Sequence, residues 1–73
     1  MNTIEVFKTN VVKRRDAQQL LKEMTSCFPN YKINFDLEDR DKILRVENER
    51  GSVKTSSIIT LLQNKQVKCE VLN

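Results

Sequence analysis

The chain contains no histidine and no tryptophan, a single glycine, a single proline and two cysteines. Without an imidazole, no side chain is ready to exchange protons near neutral pH, complete a catalytic triad or offer ring nitrogen to a metal. Catalysis would fall to carboxylates or thiols in a chain of 73 residues, too short to enclose much of a pocket. An enzyme is therefore not expected. One glycine and one proline leave no material for a flexible linker or a low-complexity tract. No apolar run exceeds three residues, which excludes a membrane-spanning helix and a signal-peptide core. A strand pattern begins at Thr3, so no targeting segment and no membrane association are expected, and the chain is assigned to the cytoplasm with both thiols reduced.

What is present is a spaced apolar pattern. Apolar residues make up 38% of the chain and charged residues 32%, a balance that suits one globular domain over residues 1–73. "TIEVFKT" reads as a strand with Ile4 and Val6 on the core face, which sends Phe7 outward with Glu5. Ala17, Leu20, Leu21, Met24, Cys27 and Phe28 then trace one face of a helix, with Asp16 as its N-cap and Pro29 as its stop. "YKINFDL" alternates cleanly, with Tyr31, Ile33, Phe35 and Leu37 inward. "EDRD" forms a hairpin loop, and "KILRVE" returns with Leu44 and Val46 inward. Gly51 supplies a backbone position with positive φ, Ser52 or Thr55 caps a second helix faced by Ile58, Ile59 and Leu62, and Asn64 ends it. "QVKCEVL" closes as a strand with Val67, Cys69 and Val71 inward.

The order β-α-β-β-α-β with two right-handed crossovers predicts an α+β, ferredoxin-like fold: a four-stranded antiparallel sheet, both helices on one face. The expected spatial order of strands is fourth, first, third, second. With "LLKEM" in the first helix, "INFDLED" in the second strand and "SIITLLQN" in the second helix, the chain resembles the heavy-metal-associated domain family, the small module of copper chaperones and metal-pumping ATPases. The resemblance spans nearly the whole chain but lacks that family's Met-x-Cys-x-x-Cys loop. The corresponding stretch, "NVVKRRDA", holds no cysteine, methionine or histidine. No metal ligand and no cofactor are therefore carried over. Cys27 and Cys69 both read as inward-facing, at opposite ends of the fold, and are expected to pack as small hydrophobes rather than pair.

Three further constellations bear on function. Lys13, Arg14 and Arg15 are the only three consecutive cations. They stand where a helix dipole disfavours positive charge, and so form a candidate loop for an acidic protein partner. The resemblance implies the same, since copper chaperones dock acidic partners with lysines near this loop. Phe7, Ile43 and Leu72 form a candidate apolar patch on the outer sheet face, suited to a partner or a homodimer. "DLEDRDK" fails as a calcium loop: Arg40 and Asp41 stand where a ligand and a glycine belong. RNA recognition on this topology uses aromatics on the outer face of the first and third strands. Ile43, Arg45 and Glu47 offer none on the third, so no nucleic-acid partner is expected. The reading is a non-catalytic interaction module on a degenerate metal-domain scaffold. The alternative is a copper-type metal carrier using Cys27, Cys69 or the methionines.

Overall fold

The computed structural model describes residues 3–72. Its elements run β1 (Ile4–Thr9), α1 (Arg14–Cys27), β2 (Tyr31–Asp36), β3 (Ile43–Asn48), α2 (Thr55–Asn64) and β4 (Cys69–Val71). The strands form one antiparallel sheet in the order β2-β3-β1-β4, the predicted ferredoxin-like arrangement. Phe7, Leu44 and Val46 from the sheet, Ala17, Leu20 and Met24 from α1, and Ile58 and Leu62 from α2 belong to one buried cluster, so both helices cover the same face. Tyr31, Ile33 and Phe35 pack against its rim from β2, and Val67, Cys69 and Val71 from the opposite side. Burying each large aliphatic or aromatic side chain contributes on the order of 1.5–3 kcal/mol.

The phase of β1 differs from the sequence reading. Phe7 is fully buried and Ile4 is 48% exposed, while Glu5 and Thr9 take the remaining core-side positions. A one-residue shift of phase exchanges every side chain between the two faces. Phe7, the bulkiest side chain of β1, decides the phase, and Thr9 follows because its hydroxyl finds backbone partners under the β2–β3 loop. Glu5 lies opposite Val46 near the end of the strand and is also engaged there.

The helix starts also differ. α1 begins at Arg14 with Lys13 as N-cap, not at Asp16; the Lys13 carbonyl accepts the first helical hydrogen bond from the Ala17 amide at 3.1 Å. The cause lies just before it. Val11 is only 5% exposed and anchors the chain in the core, which leaves too little slack for a later start. Asp16 falls in the first turn, where its carboxylate complements the helix dipole. α2 begins at Thr55 with Lys54 as N-cap, and the Lys54 amide donates to the Tyr31 hydroxyl across the sheet edge at 2.9 Å. Phe28 closes α1 as expected before Pro29, and its ring stacks on Tyr31 at 5.1 Å.

Among the described residues the left-handed positions are Lys42 and Gln66, not Gly51 or Asn64. Lys42 closes the β2–β3 hairpin, its Nζ donating to the Leu37 carbonyl at 2.9 Å. Gln66 turns the chain out of α2, and the following Val67 amide returns to the Leu62 carbonyl at 2.9 Å. The 48–52 turn is held instead by Asn48, whose side chain bonds the Ser52 carbonyl and the Arg50 amide.

Candidate interaction surface at the loop end

The β1–α1 loop is fixed from both sides. The Thr9 hydroxyl donates to the Lys42 carbonyl at 2.6 Å and accepts from the Val11 amide at 3.2 Å, while the Thr9 amide donates to the Asp41 carbonyl at 3.1 Å. On the other flank the Asn10 carboxamide oxygen accepts from the Lys68 amide at 3.0 Å. With Thr9 tied to the hairpin tip, Asn10 tied to the approach to β4 and Val11 in the core, Val12 is forced outward. It is 65% exposed, the most exposed large apolar side chain among the described residues.

Lys13, Arg14 and Arg15 are all exposed, but they do not form one cluster. Successive helical residues are about 100° apart around the axis, so neighbours in sequence diverge in space. Lys13 lines an open groove of about 550 Å³ between the start of α1 and the α2–β4 turn, together with Val12, Asp16, Lys65, Gln66 and Val67. Arg14 lines a smaller groove between α1 and β2. Arg15 lies along the outer side of α1 with Gln18 and Lys22. The three cations thus line three different surfaces, and of them only Lys13 stands beside the exposed Val12 in this groove. Lys65 borders the same groove and holds Glu23 at 3.0 Å, an exposed pair joining the two helices. Val12 and Lys65 were not singled out by the sequence. The available signal was the Val11-Val12 doublet, which does not say which valine turns in.

The outer sheet face carries a different patch from the expected one. Phe7 belongs to the core, and Val6 takes its place. The register sets Asn34, Arg45 and Val6 in one cross-strand row, and the Leu72 amide bonds the Val6 carbonyl at 2.8 Å, extending that row. The next row holds Asp36, Ile43, Lys8 and Glu70. Ile43 and Leu72 do lie on this face, with Ile4 and Val6. Ile43 is only 7% exposed, so the accessible apolar area is modest.

The donor chemistry of the loop end does not fit a soft metal. Residues 10–15 offer an amide, two valines and three cations, without thiolate, thioether or imidazole. Among the described residues no group of three histidine, cysteine, aspartate or glutamate side chains is placed to hold a metal ion. Cys27 is exposed at the end of α1, not inward as expected; it lies three residues past Met24, the last buried residue of the helix. Cys69 is half-buried at the start of β4, opposite Thr9. A helix of 14 residues, about 20 Å long, therefore separates the thiol-bearing ends. Burial, with the Glu70 carboxylate second, pushes the Cys69 thiol up to about 11. Met24 is fully buried, and Met1 lies outside the described residues.

No protein-family model, no curated protein and no solved structure matches this chain. Among the described residues no helix is long and apolar enough to cross a membrane.

Proposed function

We propose that the chain is a non-catalytic protein-interaction module, built on a degenerate heavy-metal-associated scaffold, that docks an acidic partner through its loop end. The observation that carries this reading is Val12, exposed beside Lys13 on a loop pinned by Thr9 and Asn10. A fixed apolar side chain next to a cation suits a partner that offers a carboxylate beside an apolar contact. Pre-ordering reduces the entropy lost on docking. Surface charge there mainly sets the association rate and its salt dependence.

The test is affinity capture followed by substitution. Val12→Ser and Lys13→Ser should each weaken binding of the captured partner, and Lys13→Ser should also flatten its salt dependence. Arg15→Ser should leave both unchanged, because Arg15 lines another surface. Equal loss from Lys13→Ser and Arg15→Ser would mean that diffuse charge, not this groove, is the recognition element. Stoichiometric Cu(I) binding with amide shifts centred on residues 10–17 would overturn the reading altogether.

A further inference from the structure

The sheet has two edges, and they are unequal. β4 is three residues long, whereas β2 is six residues long and pairs with β3 one-to-one from Tyr31 to Asp36 without a bulge. Natural edges are usually blunted by bulges, prolines, inward-pointing charges or charged side chains, lysine above all. β2 carries Lys32 and Asp36 on its wet face but has no bulge, no proline and no inward-pointing charge: its core-side residues are Tyr31, Ile33 and Phe35, all half-buried.

The hydrogen-bond phase shows which backbone groups this edge presents. The Asn48 amide donates to the Thr3 carbonyl at 2.7 Å, so Asn48, Val46 and Leu44 turn their backbone groups to β1. Glu47, Arg45 and Ile43 consequently face β2, where they meet Lys32, Asn34 and Asp36. Ile33 and Phe35 then turn both amide and carbonyl to the open side of the sheet. Tyr31 has the same phase, and its amide is taken by the Phe28 carbonyl at 3.0 Å.

We infer that β2 pairs antiparallel with β2 of a second copy, about a two-fold axis at Asn34, to give one continuous eight-stranded sheet. That register sets Ile33 opposite Phe35 of the other copy, and Phe35 opposite Ile33. Both are edge-facing, so the two pairs exchange four backbone hydrogen bonds. On the wet face it sets Lys32 opposite Asp36 and Asp36 opposite Lys32, two opposite-charge pairs related by the axis. The strand is therefore complementary to itself in hydrogen-bond phase, in charge and in apolar pairing. The groove of about 250 Å³ between α1 and β2, lined by Ala17, Leu21, Phe35 and Leu37, receives the apolar side of the incoming strand. Lys32 now holds Glu49 at 2.7 Å, but both are exposed and such a pair exchanges partners cheaply. This assembly uses a different surface from the loop-end dock and does not depend on it.

A charge-swap cycle tests the register. Sedimentation velocity from micromolar to millimolar protein should show a concentration-dependent dimer. Amide exchange at Ile33 and Phe35 should slow as the dimer fills. Lys32→Asp and Asp36→Lys should each weaken association by about tenfold, because each turns two attractive pairs into repulsive ones. The double variant K32D/D36K should recover it. Circular dichroism of each variant separates loss of pairing from loss of fold. A monomer at every concentration with Ile33 and Phe35 exchanging freely would overturn the inference. So would a dimer indifferent to both single reversals, or protection of these amides only by a foreign extended segment.

Discussion

Replacing Thr9 by valine keeps the shape of the side chain and removes one hydroxyl. That hydroxyl sits on a residue only 8% exposed, donates to the Lys42 carbonyl at 2.6 Å and accepts from the Val11 amide at 3.2 Å. Valine leaves both backbone groups without this partner in a place that water reaches poorly. An abandoned buried donor or acceptor costs about 1–3 kcal/mol, and the added methyl returns part of that. A net loss of about 2 kcal/mol is the expected result. In a domain of this size 1 kcal/mol corresponds to about 4–8 °C, so the melting temperature should fall by about 10 °C. Urea melts of the native chain, Thr9→Val and Thr9→Ser give the comparison, with serine retaining most of the stability because it keeps the oxygen. Amide exchange at Val11 should quicken in the valine variant beyond what global destabilisation accounts for. A Thr9→Val melt indistinguishable from the native one would refute the claim that this hydroxyl ties the loop to the hairpin.

Gly51→Ala should raise stability by about 0.4–1 kcal/mol, since a restricted unfolded chain loses less entropy on folding. Gly51 does not have positive φ, and an added Cβ would meet only Asn48 Nδ2 at 3.7 Å, so a destabilised alanine variant would contradict both points. A thiol reagent near neutral pH should label exposed Cys27 quickly and half-buried Cys69 slowly, with both fast in denaturant. Cys69 has a folded pKa of about 11 against an ordinary value of 9.0, so it binds its proton more tightly when folded. Its contribution to stability is complete below pH 9 and is lost as pH rises through 11. A Cys69→Ser variant should lack that part of the alkaline loss, and an unchanged alkaline profile would argue against it.

The topology was legible because three segments have a strong period. β2 alternates without a break, and each helix carries an apolar stripe at helical spacing. β1 was ambiguous for a specific reason: Ile4, Val6 and Phe7 cannot all face one way, and counting apolar residues favours the pair over the single. The choice falls to Phe7, whose large ring is fully buried in the cluster that both helices share. Glu5 and Thr9 must then be accommodated on the core side, which alternation alone does not anticipate. Val11 and Val53 were missed as core residues because each lies outside a periodic segment, yet each is at most 7% exposed. Their burial positions the N-caps Lys13 and Lys54, neither of which makes a side-chain cap bond. Helix starts set by an anchor just upstream escape a search for capping residues.

The run Lys13-Arg14-Arg15 has the most to say about reading function from a sequence. As a string it is one feature, and a single acidic partner is the natural counterpart. On the helix it becomes three features with different neighbours: Lys13 beside Val12 and the α2–β4 turn, Arg14 beside the β2 edge, and Arg15 on the outer side of α1. Exposed charges that line different surfaces share little energy, because water and salt screen them. Removing all three at once therefore perturbs three surfaces and cannot locate a binding site, whereas single substitutions can. If the loop end docks a partner, Lys13 should carry the electrostatic part. If β2 pairs with a second copy, Arg14 borders that seam, and its loss should alter dimerisation without touching the dock. The two surfaces share one helix start but are separable residue by residue.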